Sequence, residues 1–204
     1  MSTFIYIMDP MCSWCWAFRP SIEVLKKHYP EHNWRLIMGG LAPDTDQPMS
    51  TEMQEKIISI WRQIQNQTGT DFNFDFWTQN TPQRNSYPAC RAVITAERLK
   101  TGRGEQMVNA IQNAYYRQAL NPSDTRVLLQ LAQQIGLSST LFSQELSLSI
   151  TDQQLETEIM TARKLGAHGF PSLFFQNNHG IRPVSLGYCD ARELLRRVEE
   201  LKKE

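Results

Sequence analysis

The sequence predicts an α/β fold in which strands near both ends of the chain enclose a long helical block. A strand, a helix and a second strand open the chain over residues 3–8, 15–27 and 34–38. Residues 45–165 then carry apolar side chains at helical spacing, and two strands and a last helix follow. A strand–helix–strand opening usually gives parallel strands with helices packed on the sheet.

Two apolar segments and a helix with one apolar face predict the opening strand–helix–strand unit. Residues 4–8 are all apolar, which favours a buried strand. The following helix has one apolar face, and Pro20 predicts a kink within it. Residues 34–38 predict the second strand, which Gly39 ends.

The middle of the chain predicts several helices and one connector. Ser86 as a capping residue and Pro88 in the first turn predict the start of one helix. Further helices are predicted over 105–119, 123–135 and 151–165, with a weaker one over 137–148. Residues 72–76 alternate like a strand, but we interpret them as an aromatic-rich connector.

The closing unit predicts a hairpin and a helix. Residues 172–176 form an apolar strand, and an Asn-rich turn leads to a return strand over 181–186. Pro183 places that strand at a sheet edge. Asp190 and Glu193 have the spacing of a capping box at the start of the last helix.

Charge and cysteine content exclude several classes of protein. Lys and Arg total 21, as do Asp and Glu, so the net charge is zero. This balance argues against a nucleic-acid binder or membrane anchor that relies on a basic field. Four cysteines are too few for a disulfide scaffold, and the first residues lack the basic segment of a signal peptide. We therefore expect a cytoplasmic protein.

The strongest chemical motif is Cys12-Ser13-Trp14-Cys15, at the junction of the first strand and helix. Free N–H groups and a partial positive charge at a helix N-terminus stabilise a thiolate. Cys12 at the exposed end would be the nucleophile, and Cys15 would attack a mixed disulfide. Asp9 would either oppose thiolate formation or shuttle a proton.

Two other interpretations of the cysteine pair stay open at this point. The two thiols can be buried as small apolar groups. Alternatively, Cys12, Cys15, His28 and His32 have the spacing of a two-Cys, two-His zinc site. Pro30 lies between the histidines and should end the helix before His32, which argues against zinc.

A second motif, His168-Gly169-Phe170-Pro171-Ser172, precedes the third strand. X-Pro bonds have only a small trans preference, so a cis bond is plausible here. Gly, a bulky residue, Pro and Ser before an apolar strand resemble the thioredoxin signature with its cis-proline. Pro20, five residues after Cys15, resembles the proline of the thioredoxin active-site helix.

The long helical block resembles the insertion of the DsbA family. Residues 9–18, Asp-Pro-Met-Cys-Ser-Trp-Cys-Trp-Ala-Phe, are similar to cytosolic members grouped near FrnE and 2-hydroxychromene-2-carboxylate isomerase. Further similar blocks are 39–43, 86–92 and 121–124. The resemblance implies a thioredoxin fold with an inserted α-helical domain. The thioredoxin-like domain would comprise residues 1–44 and 150–204, and the inserted domain residues 45–149.

The resemblance also implies a function, that of a protein disulfide oxidoreductase or isomerase. Cys12 would be the attacking thiolate and Cys15 the resolving thiol, while Ser13 and Trp14 would tune the reduction potential. Strong periplasmic oxidants carry His between their cysteines. Trp14 therefore argues against a strongly oxidising role, and the cytosol favours reductase or isomerase work.

The implied substrates are disulfide-containing proteins or small thiols. Pro171 would be cis and pack against the cysteine pair, and the backbone of Phe170 would pair with an extended substrate segment. We expect a recycling thiol reductant as partner and glutathione at most as co-substrate. We expect no bound metal and no binding to nucleic acid or a membrane. The substrate, the recycling partner and the oligomeric state are not given by the sequence.

Two alternative functions use the same residues differently. Kappa-class glutathione transferases and hydroxychromene isomerases resemble this architecture and bind glutathione beside the position of Cys12. That position is usually Ser in them, without a second cysteine, so the intact pair favours disulfide exchange. The second alternative is a zinc or soft-metal module that uses Cys12 and Cys15.

Five further residues carry predictions of their own. We expect Cys90 and the Tyr115-Tyr116 pair to pack in the core, because free Cys is among the most buried residue types. Cys189 is interpreted as an inert thiol, open to glutathionylation if exposed. His168 is either an exposed loop residue or a group that tunes the thiols.

Overall fold

A mixed four-stranded sheet forms the centre of the molecule. The computed structural model describes residues 2–203. Its strands are β1 (Thr3–Met8), β2 (Asn33–Met38), β3 (Ser172–Asn177) and β4 (Gly180–Leu186). They lie in the order β2-β1-β3-β4, with β1 parallel to β2 and antiparallel to β3, and β3 antiparallel to β4. The predicted α/β class with a thioredoxin fold is confirmed.

The helices lie mostly between β2 and β3. Helix α1 (Ser13–His28) connects β1 to β2, and α9 (Ala191–Lys203) follows β4. The helices between β2 and β3 are α2 (Thr51–Thr68), α3 (Phe76–Gln79), α4 (Tyr87–Leu99), α5 (Arg103–Gln118), α6 (Thr125–Gln134), α7 (Ser139–Leu146) and α8 (Ser149–Lys164). Among these described helices, none combines the length and apolar character that crossing a bilayer requires. The proposed domain boundaries stay a prediction, and residues 1 and 204 lie outside the described residues.

Pro183, Asp190 and Pro20 lie in or next to the elements for which the sequence predicts them. Pro183 lies in the edge strand β4, where a missing N–H costs no ladder bond inside the sheet. The Glu193 N–H donates to Asp190 Oδ1 at 2.8 Å, so Asp190 caps α9. Helix α1 continues through Pro20.

The predicted capping role of Ser86 is wrong. Ser86 directly precedes α4, but its hydroxyl makes no capping bond there. It donates instead to Asp9 Oδ2 at 2.7 Å. The Asp9 carboxylate is a strong acceptor for the hydroxyl proton, and the hydroxyl oxygen accepts from the Ala42 N–H at 3.0 Å instead of from the first N–H groups of α4.

Alternate residues of β1 face two different parts of the core. Tyr6 and Met8 pack with α1, α4 and α5, whereas Ile5 and Ile7 pack against Ala162 of α8. This follows from the period of two along a strand. The motif from Cys12 to Cys15, which follows β1, is therefore held between the sheet and the helical block.

An aromatic cluster fixes the helical block against α1. Trp61 of α2 is 1% exposed. Its ring lies 5.4 Å from the rings of both Tyr115 and Tyr116. The Tyr116 ring in turn stacks on Trp16 of α1 at 5.6 Å. The prediction that Tyr115 and Tyr116 are core residues is confirmed, and their cluster positions α1 relative to the inserted helices.

Candidate active site

The two cysteines of the motif lie at the start of α1 with different exposure. Cys12 immediately precedes the helix, and Cys15 lies in its first turn. Cys12 is 7% exposed and Cys15 is fully buried, and both are free thiols. The Cys12 N–H donates to the Asp9 carbonyl at 3.0 Å, which forms the turn that aims Cys12 at the helix end. Cys12 is thus the thiol that a substrate can reach.

The proline loop meets Cys12 although 158 residues separate them. The Phe170–Pro171 peptide bond is cis, and Cys12 Sγ lies 3.5 Å from the Phe170 carbonyl oxygen. The Gly187 N–H donates to the Pro171 carbonyl at 2.7 Å and holds the loop to β4. The two sequence motifs therefore form a single site.

Close approach of the backbone at Gly39 seats the Phe170 ring. A Cβ atom on Gly39 would lie 2.0 Å from Phe170 Cε1. A side chain at this position would displace the ring. Glycine at the end of β2 thus allows the proline loop to pack against the sheet.

A groove of about 220 Å³ opens at Cys12. We call it the catalytic groove; its lining includes Met11, Cys12, Ser13, Trp14, Leu41, Met49, Ile57, Ile60, Trp61, Arg84, Asn85 and Phe170. Most of these side chains are apolar, and Arg84 supplies a cation. The Asn85 Oδ1 atom is buried without a hydrogen-bond partner among residues 2–203.

Sequence reasoning missed Arg84 and Asn85 as groove residues. Arg84 carries no motif, because a single cation in a loop has no recognisable spacing. Asn85 directly precedes the block 86–92 that contributed to the family resemblance, which was the only available signal. Ser13 and Trp14 do line the groove, and the Trp14 ring contacts the Tyr188 ring at 5.4 Å.

Asp9 is a fully buried carboxyl group behind the redox pair. It accepts hydrogen bonds from the Met11 N–H at 2.8 Å, the Leu41 N–H at 2.7 Å and the Ser86 hydroxyl at 2.7 Å. The Cys90 thiol is a fourth donor, at 3.3 Å from Oδ2. Burial raises the pKa of Asp9, and the four hydrogen bonds oppose that rise.

Burial also controls the proton on the inner thiol. The pKa of Cys15 is raised well above the ordinary value for a thiol, chiefly because the residue is buried and further because Cys12 lies beside it. Burial likewise raises the pKa of Tyr6, whose hydroxyl interacts with Cys15. Cys15 is therefore a neutral thiol in the reduced state.

The remaining predicted residues are placed as follows. His168 is exposed. Cys90 is fully buried, as predicted, and its bond to Asp9 was not foreseen, because no local pattern joins residues 81 positions apart. Cys189 is half-buried; its thiol donates to the Ser185 hydroxyl at 3.4 Å, and burial raises its pKa.

The zinc alternative receives no support from the geometry. His28 is the last residue of α1, so a helix rise of 1.5 Å per residue puts it about 24 Å from Cys12. The His32 ring stacks on Phe4 at 5.4 Å. Within residues 2–203, no group of three or more His, Cys, Asp or Glu side chains is arranged to hold a metal ion.

The comparison with protein families decides the family. A family model described as thioredoxin matches residues 4–185. The chain belongs to this thioredoxin family. Its fold is shared by solved proteins that are described as a candidate protein disulfide isomerase, a disulfide reductase and a DsbA oxidoreductase.

Solved structures with the same fold cover almost the whole chain. A candidate protein disulfide isomerase from Nitrosomonas europaea is 25% identical with a TM-score of 0.89, over 99% of this chain and 98% of that one. The cytosolic disulfide reductase DsbM from Pseudomonas aeruginosa is 23% identical with a TM-score of 0.80, over 98% of each chain. A 2-hydroxychromene-2-carboxylate isomerase shares the fold at 13% identity, with a TM-score of 0.67, over 98% of this chain and 95% of that one.

Two curated relatives are named as adapter proteins. ClpXP adapter protein SpxH from Halalkalibacterium halodurans is 24% identical over 87% of this chain and 58% of its own length. SpxH from Bacillus subtilis is 25% identical over 92% of this chain and 64% of its own length. The chain thus spans less than two thirds of the curated relatives that it matches.

Proposed function

We propose that this chain exchanges disulfides with small-thiol or protein substrates through Cys12 and Cys15. One observation carries the proposal: the reachable Cys12 thiol at the start of α1 lies 3.5 Å from the Phe170 carbonyl, with the buried Cys15 thiol one turn behind it. This arrangement gives an attacking thiol, a resolving thiol and a substrate-binding loop in one site.

The exchange takes two steps. The Cys12 thiolate attacks one sulfur of the substrate disulfide, so that a mixed disulfide forms and the other substrate sulfur leaves as a thiolate. Cys15 then loses its proton and attacks the Cys12 sulfur. The second substrate thiol is released, the substrate has gained two electrons and two protons, and Cys12 and Cys15 are joined by a disulfide. An external thiol reductant regenerates the pair.

The catalytic groove favours a peptide-like thiol as substrate. Its apolar wall suits an extended segment, and the Phe170 backbone would pair with that segment by short β-addition. Arg84 would bind a carboxylate, and Asn85 Oδ1 would accept an N–H. Glutathione fits this description as co-substrate. DsbM has been solved with GSH, and that protein is described as cytosolic. We propose the same compartment here, with no resident cofactor.

A trapping experiment tests the roles of the two cysteines. Cys15→Ala should accumulate mixed disulfides, because the resolving attack is lost, and Cys12→Ala should not. Cys189→Ala is the matched control and should behave as the wild type. Mass spectrometry after alkylation would identify the adducts, and adducts in both active-site variants or in neither would contradict the assignment.

A redox titration tests the couple itself. In glutathione buffers, the Cys12–Cys15 disulfide should form reversibly with a potential between about −270 and −120 mV. A potential at the low end would make the protein a reductase and one at the high end an oxidase or isomerase. If no intramolecular disulfide forms, the proposal is wrong, and glutathione-dependent isomerisation without redox turnover becomes the leading function.

The names of the curated relatives favour a second candidate function, that of an adapter. An adapter needs its binding surfaces but not its thiols. A variant with both Cys12→Ser and Cys15→Ser would lose all disulfide exchange yet keep an adapter's partner binding. If cells that carry this double variant behave like cells that carry the wild-type protein, the adapter function is supported over the enzymatic one.

A further inference from the structure

A second and larger cavity borders Cys15. Its volume is about 470 Å³, which is in the range of small-molecule sites. We call it the rear cavity; its walls include Tyr6, Cys15, Leu36, Val93, Val108 and Gln112. It shares no lining residue with the catalytic groove, so the two are separate openings. The rear cavity lies where the sheet meets the helical block, a preferred place for ligand sites.

Gln112 is the unusual residue in this wall. Its side chain belongs to α5 and the residue is 1% exposed. Neither Nε2 nor Oε1 has a hydrogen-bond partner among residues 2–203. Buried polar side chains almost always have partners. An amide that lines a cavity with both ends unpaired is therefore arranged for a ligand that offers a donor and an acceptor side by side.

An extended peptide residue offers this pair of groups. Its N–H and C=O point to the same side, as in the hydrogen-bonded pairs of an antiparallel sheet. The walls beside Gln112 are apolar, formed by residues such as Tyr6 and Val108. They suit the body of a small peptide and exclude water from its hydrogen bonds.

Charges of both signs stand around the mouth of the rear cavity. The Arg19 Nη1 atom is buried without a partner among the described residues, although Arg19 Nε binds Glu23 at 2.9 Å. Lys26 and Glu105 form an ion pair at 2.5 Å, and Glu97 also lines the opening. Neighbouring cations and carboxylates match a ligand that carries both a free carboxylate and a free ammonium group.

We infer that the rear cavity binds a short zwitterionic peptide, such as a tripeptide, beside the redox pair. The N–H and C=O of its middle residue pair with Gln112, and its carboxylate binds Arg19. Its ammonium group lies near Glu97 or Glu105. This inference goes beyond disulfide exchange, and binding can be measured without any turnover.

Calorimetric titration with glycyl-leucyl-glycine, a thiol-free probe, tests the site. The wild type should bind it saturably with a dissociation constant below about 1 mM. Gln112→Met keeps the length of the side chain and removes both polar atoms, so binding should weaken at least tenfold. Val108→Phe fills the cavity from the same face of α5, one turn before Gln112, and should abolish binding. A melting curve for each variant verifies that it is folded.

Two controls separate the rear cavity from the catalytic groove. Arg84→Ala removes the cation of the catalytic groove, so loss of tripeptide binding in this variant would place the peptide in the groove, whereas binding that persists lies outside it. The same peptide with acetylated N-terminus and amidated C-terminus lacks both charges and should bind at least tenfold more weakly. The inference is overturned if the wild type shows no saturable binding, or if Gln112→Met and Val108→Phe bind the peptide as tightly as the wild type does. It is also overturned if Arg84→Ala loses binding.

Discussion

At the scale of single residues, Asp9 has a buried environment that the neighbouring residues in the sequence do not predict. It is a fully buried acid within reach of both the redox pair and the helical block. Four hydrogen bonds partly offset the loss of hydration, but the pKa of Asp9 remains raised above 3.8. The two roles left open by the sequence, opposing thiolate formation or shuttling a proton, stay predictions.

The raised pKa of Asp9 predicts how stability changes with pH. A carboxyl group with a higher pKa in the folded state contributes stability that is fully present below its unfolded pKa and lost as pH rises through its folded pKa. The free energy of unfolding of the wild type should therefore fall, relative to Asp9→Asn, as the pH rises above 3.8 and through the raised pKa of Asp9. Urea unfolding at several pH values measures this, and a constant or opposite difference would contradict it.

Ser86→Ala tests the donor to this carboxylate. Removing the hydroxyl leaves a buried charge with one partner fewer, which should cost about 1–3 kcal/mol. The loss should be larger at pH 7 than at pH 4, because only the ionised Asp9 needs the donor. A capping role would give a loss independent of pH. Ser138→Ala, which removes a true helix cap at α7, is the control.

At the scale of elements, the end of β2 packs directly against the proline loop. Gly39 leaves room for the Phe170 ring, and the Phe170 carbonyl lies against Cys12. A substitution at the end of β2 should thus change the position of the Phe170 carbonyl relative to the Cys12 thiol. Sequence analysis recognised Gly39 as the end of a strand, whereas its contact with a residue 131 positions later is visible only in the fold.

Gly39→Ala should slow disulfide exchange about tenfold or more with only a modest change in stability. The new methyl group would displace the Phe170 ring and with it the loop that receives substrate. Gly169→Ala is a matched control in the same loop, because a Cβ atom there meets nothing within 4 Å. Stopped-flow measurement with oxidised glutathione compares the two, and equal rates for both variants would refute the coupling.

The aromatic cluster is the element-level contact that holds the inserted helices to α1. Trp61→Ala should destabilise the protein by about 3–5 kcal/mol, as expected for a fully buried aromatic side chain. Because Trp61 also lines the catalytic groove, exchange with peptide substrates should weaken. Thermal unfolding and the rate with a disulfide peptide measure the two effects; a loss below about 1 kcal/mol would show that the cluster does not carry this role.

At the scale of the whole molecule, the sequence predicts well what depends on local pattern. Alternation and helical spacing gave the strands and helices, and the two motifs gave Cys12, Cys15 and Pro171 as candidates. Arg84, Asn85 and the unpaired amide of Gln112 were not predicted. Their positions depend on tertiary contacts between distant segments, and isolated polar residues leave no period or spacing by which to recognise them.

The central place of β1 in the sheet has a consequence for protein synthesis. One neighbour of β1, the strand β2, follows it after a single helix, but the other, β3, begins at residue 172. On the ribosome, both cysteines emerge long before the segment that supplies Phe170 and Pro171. Ordering so long an intervening loop also slows this pairing. A nascent chain therefore presents the thiols of Cys12 and Cys15 before it has the proline loop that lies against Cys12, and both thiols lack that loop until translation passes residue 171.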